Sequence, residues 1–124
     1  MDLIFRPRRL RVSASIRGLV RETEISPSQL IFPMFVTEGE SIREQIKSMP
    51  GQFRFSIDQI VRECEEVYAL GIGGVNLFGY SIEKDNFGSK AYDSKGLVQR
   101  AVNAIKSATP DLCVQTDVAL DPYT

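Results

Sequence analysis

Apolar positions come in two periods along this chain. Between Ser56 and Gly71, Ile57, Ile60, Val61, Cys64, Val67 and Tyr68 recur at three- and four-residue steps, one apolar stripe of a helix. Ser56 and Gln59 make a capping-box pair at its start, Phe55 can staple onto Ile60, and Gly71 supplies the C′ glycine at its end. A second helix is predicted over 95–108, with Leu97, Val98, Ala101, Val102 and Ile105 buried and Pro110 as the stop. Three short apolar runs read as strands: Leu30-Ile31-Phe32-Pro33-Met34-Phe35-Val36, Gly74-Val75-Asn76-Leu77-Phe78-Gly79-Tyr80, and a third over 112–120. The first is apolar on both faces, which fits a strand covered on both sides, although Pro33 argues against a central place in a sheet. Ser26-Pro27 reads as a cap and first-turn proline of a short turn. Residues 41–55 read as a loop with a hairpin, and residues 1–24 as an arm without helical or strand period, held extended around Pro7.

Strands alternating with helices predict parallel βαβ units with right-handed crossovers. Three strands and two helices make a small parallel sheet whose apolar surface exceeds what two helices cover. A complete (β/α)8 barrel takes roughly 250 residues, so the 124 residues read as the opening third of something larger.

Composition narrows the function classes. Hydrophobic residues are 43% and charged residues 25% of the chain, a globular balance. No apolar run reaches the roughly 18 residues a membrane span needs, and the N-terminal stretch lacks the apolar core and cleavage site of a signal peptide. The sequence therefore predicts neither a membrane nor a secreted protein, and two reduced, packed thiols at Cys64 and Cys113. Histidine is absent, which removes histidine bases, triads and metal ligands. Net charge is −1, but residues 1–24 hold six arginines against Asp2, Glu22 and Glu24. A basic arm with little aromatic interleaving is expected to dock on an acidic neighbour or another subunit rather than on nucleic acid.

Ligands of parallel sheets bind at the C-terminal ends of strands. In the third predicted strand Asp117, Ala119 and Asp121 alternate onto one face. Asp117 follows an apolar stretch, where a carboxylate either bonds a neighbouring loop or serves a site. Carboxylates without cysteine or histidine suit Mg²⁺ better than Zn²⁺. For Asp117 and Asp121 to share an ion the chain must bend after Leu120, which Pro122 favours. Gly71-Ile72-Gly73-Gly74 follows a helix and precedes a strand, the wrong order for a dinucleotide loop, and reads as a helix cap and tight turn. Lys84-Asp85 reads as an ion pair, an anion contact or a solvated loop pair.

Six segments in order resemble the N-terminal part of the porphobilinogen synthase (delta-aminolevulinic acid dehydratase) family: Phe5-Arg6-Pro7-Arg8-Arg9-Leu10-Arg11, Leu30 to Val36, Ser48-Met49-Pro50-Gly51, Leu77-Phe78-Gly79, Lys84-Asp85-Asn86-Phe87-Gly88-Ser89, and Thr116-Asp117-Val118-Ala119-Leu120-Asp121-Pro122-Tyr123-Thr124. The resemblance implies an α/β fold, the opening βαβαβ part of a TIM (β/α)8 barrel over 25–124, preceded by an extended basic oligomerisation arm over 1–24. It implies a cytoplasmic lyase that condenses two 5-aminolevulinate molecules into porphobilinogen on the way to haem, assembled as a homo-octamer through the arm, with no nucleic-acid or membrane partner. Asp117 matches the family's active-site aspartate. Ala119 and Asp121 match positions that are cysteines in zinc-dependent members, so no cysteine-type zinc site is expected. Asp121, with Asp117, would instead favour Mg²⁺ or a monovalent cation, or Asp121 would contact substrate. Phe78 matches an aromatic residue of the substrate pocket, with core packing as its other reading.

The family's Schiff-base lysines and its His-Gly-His segment lie beyond these residues. Lys84, Lys90 and Lys95 sit in a polar loop and at a helix start, poor places for a lysine nucleophile. The isolated chain is therefore expected to be inactive. The alternative is a non-catalytic module that uses its arm and open sheet edge for association.

Overall fold

A computed structural model describes residue 4 and residues 7–124; the Phe5-Arg6 part of the N-terminal motif lies outside the described residues. The heart of the molecule is a mixed α/β sheet. Strands β1 (Ile31–Thr37), β4 (Gly74–Tyr80) and β5 (Cys113–Thr116) run parallel, and β2 (Arg43–Gln45) and β3 (Phe53–Phe55) form an antiparallel hairpin. The strand order is β2-β3-β1-β4-β5. Helix α2 (Ile57–Ala69) links β3 to β4, and α3 (Leu97–Ala108) links β4 to β5.

Period two decides which side chains meet the helices. Met34 and Val36 of β1 and Val75 and Leu77 of β4 are buried against Ile60, Cys64 and Val67 of α2 and Leu97, Ala101 and Ile105 of α3. The other face carries Ile31, Pro33, Phe35, Asn76, Phe78 and Tyr80, which stay half-buried or exposed. Among the described residues helices cover one face of β1, and the other is the apolar surface expected to exceed what two helices cover. Pro33 nevertheless lies in a central strand. It is tolerated because β3 pairs with β1 only at Phe35 and Val36, so the stretch around Pro33 has β4 as its one partner.

Helix α2 starts and stops where the pattern places it, but its cap is built differently. Ser56 and Gln59 do not close a capping box. The Ser56 hydroxyl accepts the Ile42 N–H at 2.8 Å and lies 2.5 Å from an Asp58 carboxylate oxygen, and Gln59 Nε2 donates to the same carboxylate. Asp58 also accepts the Ser41 N–H, so it pins the start of the hairpin to the start of the helix. Tyr68, expected in the buried stripe, is 45% exposed because it lies at the stripe's edge near the helix end. Gly71 takes φ +78° as a C′ residue should. Burial and then the Glu63 charge push the Cys64 thiol up to about 12, which fits a packed thiol; Cys113, expected to be packed as well, is exposed on the edge strand β5.

The hydrogen bond from the Ser56 hydroxyl, then those from Gln59 and the Ser41 amide, hold the Asp58 carboxyl at about 2, below its ordinary 3.8. A depressed folded-state pKa gives stability that is complete above the unfolded value, about pH 4, and is lost as pH falls through the folded one. Urea denaturation at stepped pH should show a shallower acid limb between about pH 4 and 2 in Asp58→Asn than in the parent chain. Equal slopes would remove Asp58 from the acid response.

Three further boundaries differ from the pattern. The second helix begins at Leu97, not 95, because Asp93 accepts the Lys95 N–H and its carbonyl accepts the Gly96 N–H, which spends those residues on a turn. The third strand ends at Thr116, not 120. Its ladder to β4 stops at Leu77, whose carbonyl still accepts the Asp117 N–H at 3.3 Å. The chain then leaves the sheet and closes in a 3₁₀ turn at Asp121–Tyr123. Asp117, Ala119 and Asp121 are thus not neighbours on one strand face.

The arm is not simply extended. A 3₁₀ turn at Arg9–Arg11 leads into α1 (Ala14–Leu19), where the Ser13 hydroxyl accepts the Ile16 N–H and caps the helix. One short helical turn needs only a cap and no apolar period, so periodicity missed it. Leu10, Val12, Leu19 and Ile25 are all more than half exposed, so among the described residues the arm's apolar side chains do not dock on the sheet. The Ser26-Pro27 turn forms as expected, and its Pro27 carbonyl accepts the Gly73 N–H, tying it to the start of β4. No described helix is long and apolar enough to cross a membrane.

Candidate active site

The C-terminal ends of β1, β4 and β5 lie side by side at one end of the sheet. Two clefts open there. One, of about 460 Å³, is lined by Tyr92, Val98, Gln99, Asp117, Ala119 and Tyr123 among others. The second, of about 390 Å³, runs between the ends of β1 and β4 and is rimmed by charge, including Glu38, Glu83, Lys90 and Arg100. Arg100 pairs with Glu38 at 2.5 Å and Lys90 with Glu83 at 3.0 Å. The Glu83 carboxylate, by hydrogen bond and charge, holds the Lys90 ammonium above its ordinary range.

Asp117 lies one residue beyond β5, exposed at the cleft wall. Its backbone is tied to Leu77, while among the described residues no hydrogen bond or ion pair holds its carboxylate. A carboxylate left unpaired at the mouth of a cleft is available to a ligand amine. Asp121 is brought to the same turn but not into either cleft; it is exposed at the first position of the 3₁₀ turn. Phe78 stands on the uncovered face, stacked on Phe35 with ring centroids 5.5 Å apart. It is outside the buried cluster between sheet and helices.

Beside that stack, Arg54 of β3 lies over the Tyr80 ring at 4.0 Å and 3.9 Å from Glu44. The uncovered face thus carries aromatic floor and a cation, which sequence pattern alone did not single out.

The residues do not by themselves fit a metal. Among the described residues no group of three His, Cys, Asp or Glu side chains is placed to hold one. Asp117 and Asp121 offer two carboxylates where Mg²⁺ demands six oxygen ligands in near-octahedral array.

Lys84 and Asp85 are neither an ion pair nor free. The Asp85 carboxylate accepts the N–H groups of Phe87 and Ser89, the bond from Ser89 doing most to hold it below its ordinary range, while Lys84 Nζ donates to the Thr124 carbonyl at 3.3 Å. Tyr123 was not foreseen. Only 6% exposed, it forms part of the wall of both clefts. Burial, and then the Asp117 charge, push its phenol above the ordinary value. The signal was Gly79: a glycine inside an apolar strand marks close approach of another group, and a Cβ there would collide with the Tyr123 hydroxyl and Val98.

The family model described as delta-aminolevulinic acid dehydratase matches residues 4–124. The chain is 46% identical over 124 residues to the delta-aminolevulinic acid dehydratase of Halalkalibacterium halodurans, covering 99% of this chain and 38% of that protein. It is 45% identical over 119 residues to that of Synechococcus elongatus, covering 96% and 36%. The crystal structure of delta-aminolevulinic acid dehydratase (porphobilinogen synthase) from Toxoplasma gondii ME49, in complex with the reaction product porphobilinogen, superimposes with a TM-score of 0.90 at 40% identity, covering 98% of this chain and 35% of that one. The chain spans little more than a third of the length of these relatives. By the match along its whole described length, this chain belongs to the delta-aminolevulinic acid dehydratase family.

Proposed function

We propose that this chain is the N-terminal third of a porphobilinogen synthase, the lyase that condenses two 5-aminolevulinate molecules in tetrapyrrole synthesis. The observation that carries the reading is the uncovered sheet face, with its Phe35–Phe78 stack and with Asp117 at the strand ends. Such a face suits the opening βαβαβ part of a TIM (β/α)8 barrel, in which further strands would turn it inward. Asp117 then stands near the substrate that forms the second Schiff base, and Phe78 lines the pocket. Asp121 contacts substrate or a cation. A Mg²⁺ or monovalent ion there would take its remaining ligands from outside this chain. The basic arm, its apolar side chains exposed, suits a subunit contact in a cytoplasmic homo-octamer.

The lysines of the chain are poor nucleophiles for that chemistry. Lys84, Lys90 and Lys95 are all exposed, and Lys90 is paired with Glu83, which raises its pKa where a Schiff-base lysine needs it lowered. Purified chain should therefore form no porphobilinogen from 5-aminolevulinate, whereas the protein carrying the family's downstream lysines should form it. Turnover by the chain alone would overturn this assignment of the lysines, and no turnover by the longer protein would overturn the enzyme reading. The second reading, a non-catalytic association module, rests on the apolar residues left exposed along the arm and at the start of β1. It gains if the chain alone captures full-length subunits.

A further inference from the structure

Segment 117–122 carries the candidate carboxylates, yet little holds it. It has left the sheet, and its apolar side chains Val118 and Leu120 are 97% and 54% exposed. Among the described residues, one end is fixed by the single Asp117 N–H bond to Leu77. The other end is fixed by Tyr123, the one buried side chain of the 3₁₀ turn. Its ring fits over Gly79 because glycine leaves room there.

The loop at 84–89 closes on this anchor from the far side. The Asp85 N–H donates to the Tyr123 carbonyl at 3.0 Å. The Asp85 carboxylate folds the loop by accepting the Phe87 N–H at 2.8 Å and the Ser89 N–H at 3.1 Å. That fold puts Gly88, at φ +61°, so close to Leu120 that a Cβ would lie 3.4 Å from the leucine. One loop therefore touches the carboxylate segment at both Leu120 and Tyr123.

We infer that loop 84–89 and the Tyr123 ring form a clamp that positions Asp117, which makes Asp85 and Tyr123 positioning residues for the reaction. The inference rests on the reading of Asp117 as the substrate-facing carboxylate. Asp85 touches no substrate; its work is to hold a loop whose backbone holds the segment. Misplacing a reacting group by about 1 Å can cost on the order of 100-fold in rate.

The test uses the complete enzyme and porphobilinogen formation. Asp85→Ala should lower kcat about 10- to 100-fold with KM changed less than about twofold. Asp85→Asn should keep kcat within about threefold, because its amide oxygen accepts the same two N–H groups. Because Asp85 acts through Asp117, adding Asp85→Ala to Asp117→Asn should cost no further turnover. Hydrogen exchange at 118–124 should speed up in Asp85→Ala and not in Asp85→Asn. Unchanged kcat in Asp85→Ala, unchanged exchange, or losses that multiply in the double variant would overturn the clamp. Full turnover in Asp117→Asn alone would instead overturn the site reading beneath it, whatever Asp85→Ala does.

Discussion

Asp117→Ala in the complete enzyme should reduce kcat by about 100-fold or more while the protein stays folded. The two halves of this expectation have separate grounds. The Asp117 side chain is exposed and makes no hydrogen bond or ion pair among the described residues, so its loss costs the fold little, within about 0.5 kcal/mol for such a surface position. Its backbone bond to Leu77 survives in alanine. The rate loss follows from position. Under the proposed function, a carboxylate at the strand ends beside a cleft would stabilise a substrate amine or move its proton, and removing one such group typically costs 100-fold or more. Thermal unfolding and turnover measured on the same preparation separate the two. A folded variant with parental turnover would take Asp117 out of the mechanism.

The largest effect on folding is expected at Leu77. It is fully buried in β4, opposite Met34 of β1 and Thr116 of β5, and lies in the cluster that joins sheet to helices. Leu77→Ala removes three buried carbons that the neighbouring strands cannot close over, since both are fixed by their ladders. The cost should be about 2–5 kcal/mol, a large share of the 5–15 kcal/mol by which domains are stable. With one sheet face uncovered, this chain has little to spare. Urea unfolding should show the midpoint falling steeply in Leu77→Ala and hardly at all in Val118→Ala, whose side chain is 97% exposed. Similar midpoints in the two variants would mean that the sheet–helix core does not carry the fold.

How far each feature was legible depends on how local its cause is. Helix α2 could be read to within a residue because its stripe, its starting serine and Gly71 are all adjacent in sequence. Its cap could not, because Ser56 turns to Ile42, a residue of the hairpin that only the tertiary fold brings near. The third strand was read four residues too long for a related reason. Residues 117–120 continue the apolar pattern, but the β4 ladder stops at Leu77 and Tyr123 draws the chain over Gly79. Asp117 was named from its apolar surroundings and the family resemblance, and it lies at the wall of a cleft. Asp121 and Phe78 were named with it, and the fold places Asp121 exposed at the start of the 3₁₀ turn and Phe78 on the uncovered sheet face.

The sequence by itself determined the order of the three parallel strands and the two longer helices, the apolar stripes that pack them, and the family, because periodicity, caps and motif identity are properties of neighbouring residues. Tertiary structure alone decided that Ser56 turns to Ile42, that the chain leaves the sheet after Thr116, and that the Asp85 N–H meets the Tyr123 carbonyl while the Tyr123 ring lies over Gly79. Those outcomes depend on which distant backbone groups satisfy one another and which side chains find room, and no local pattern records either.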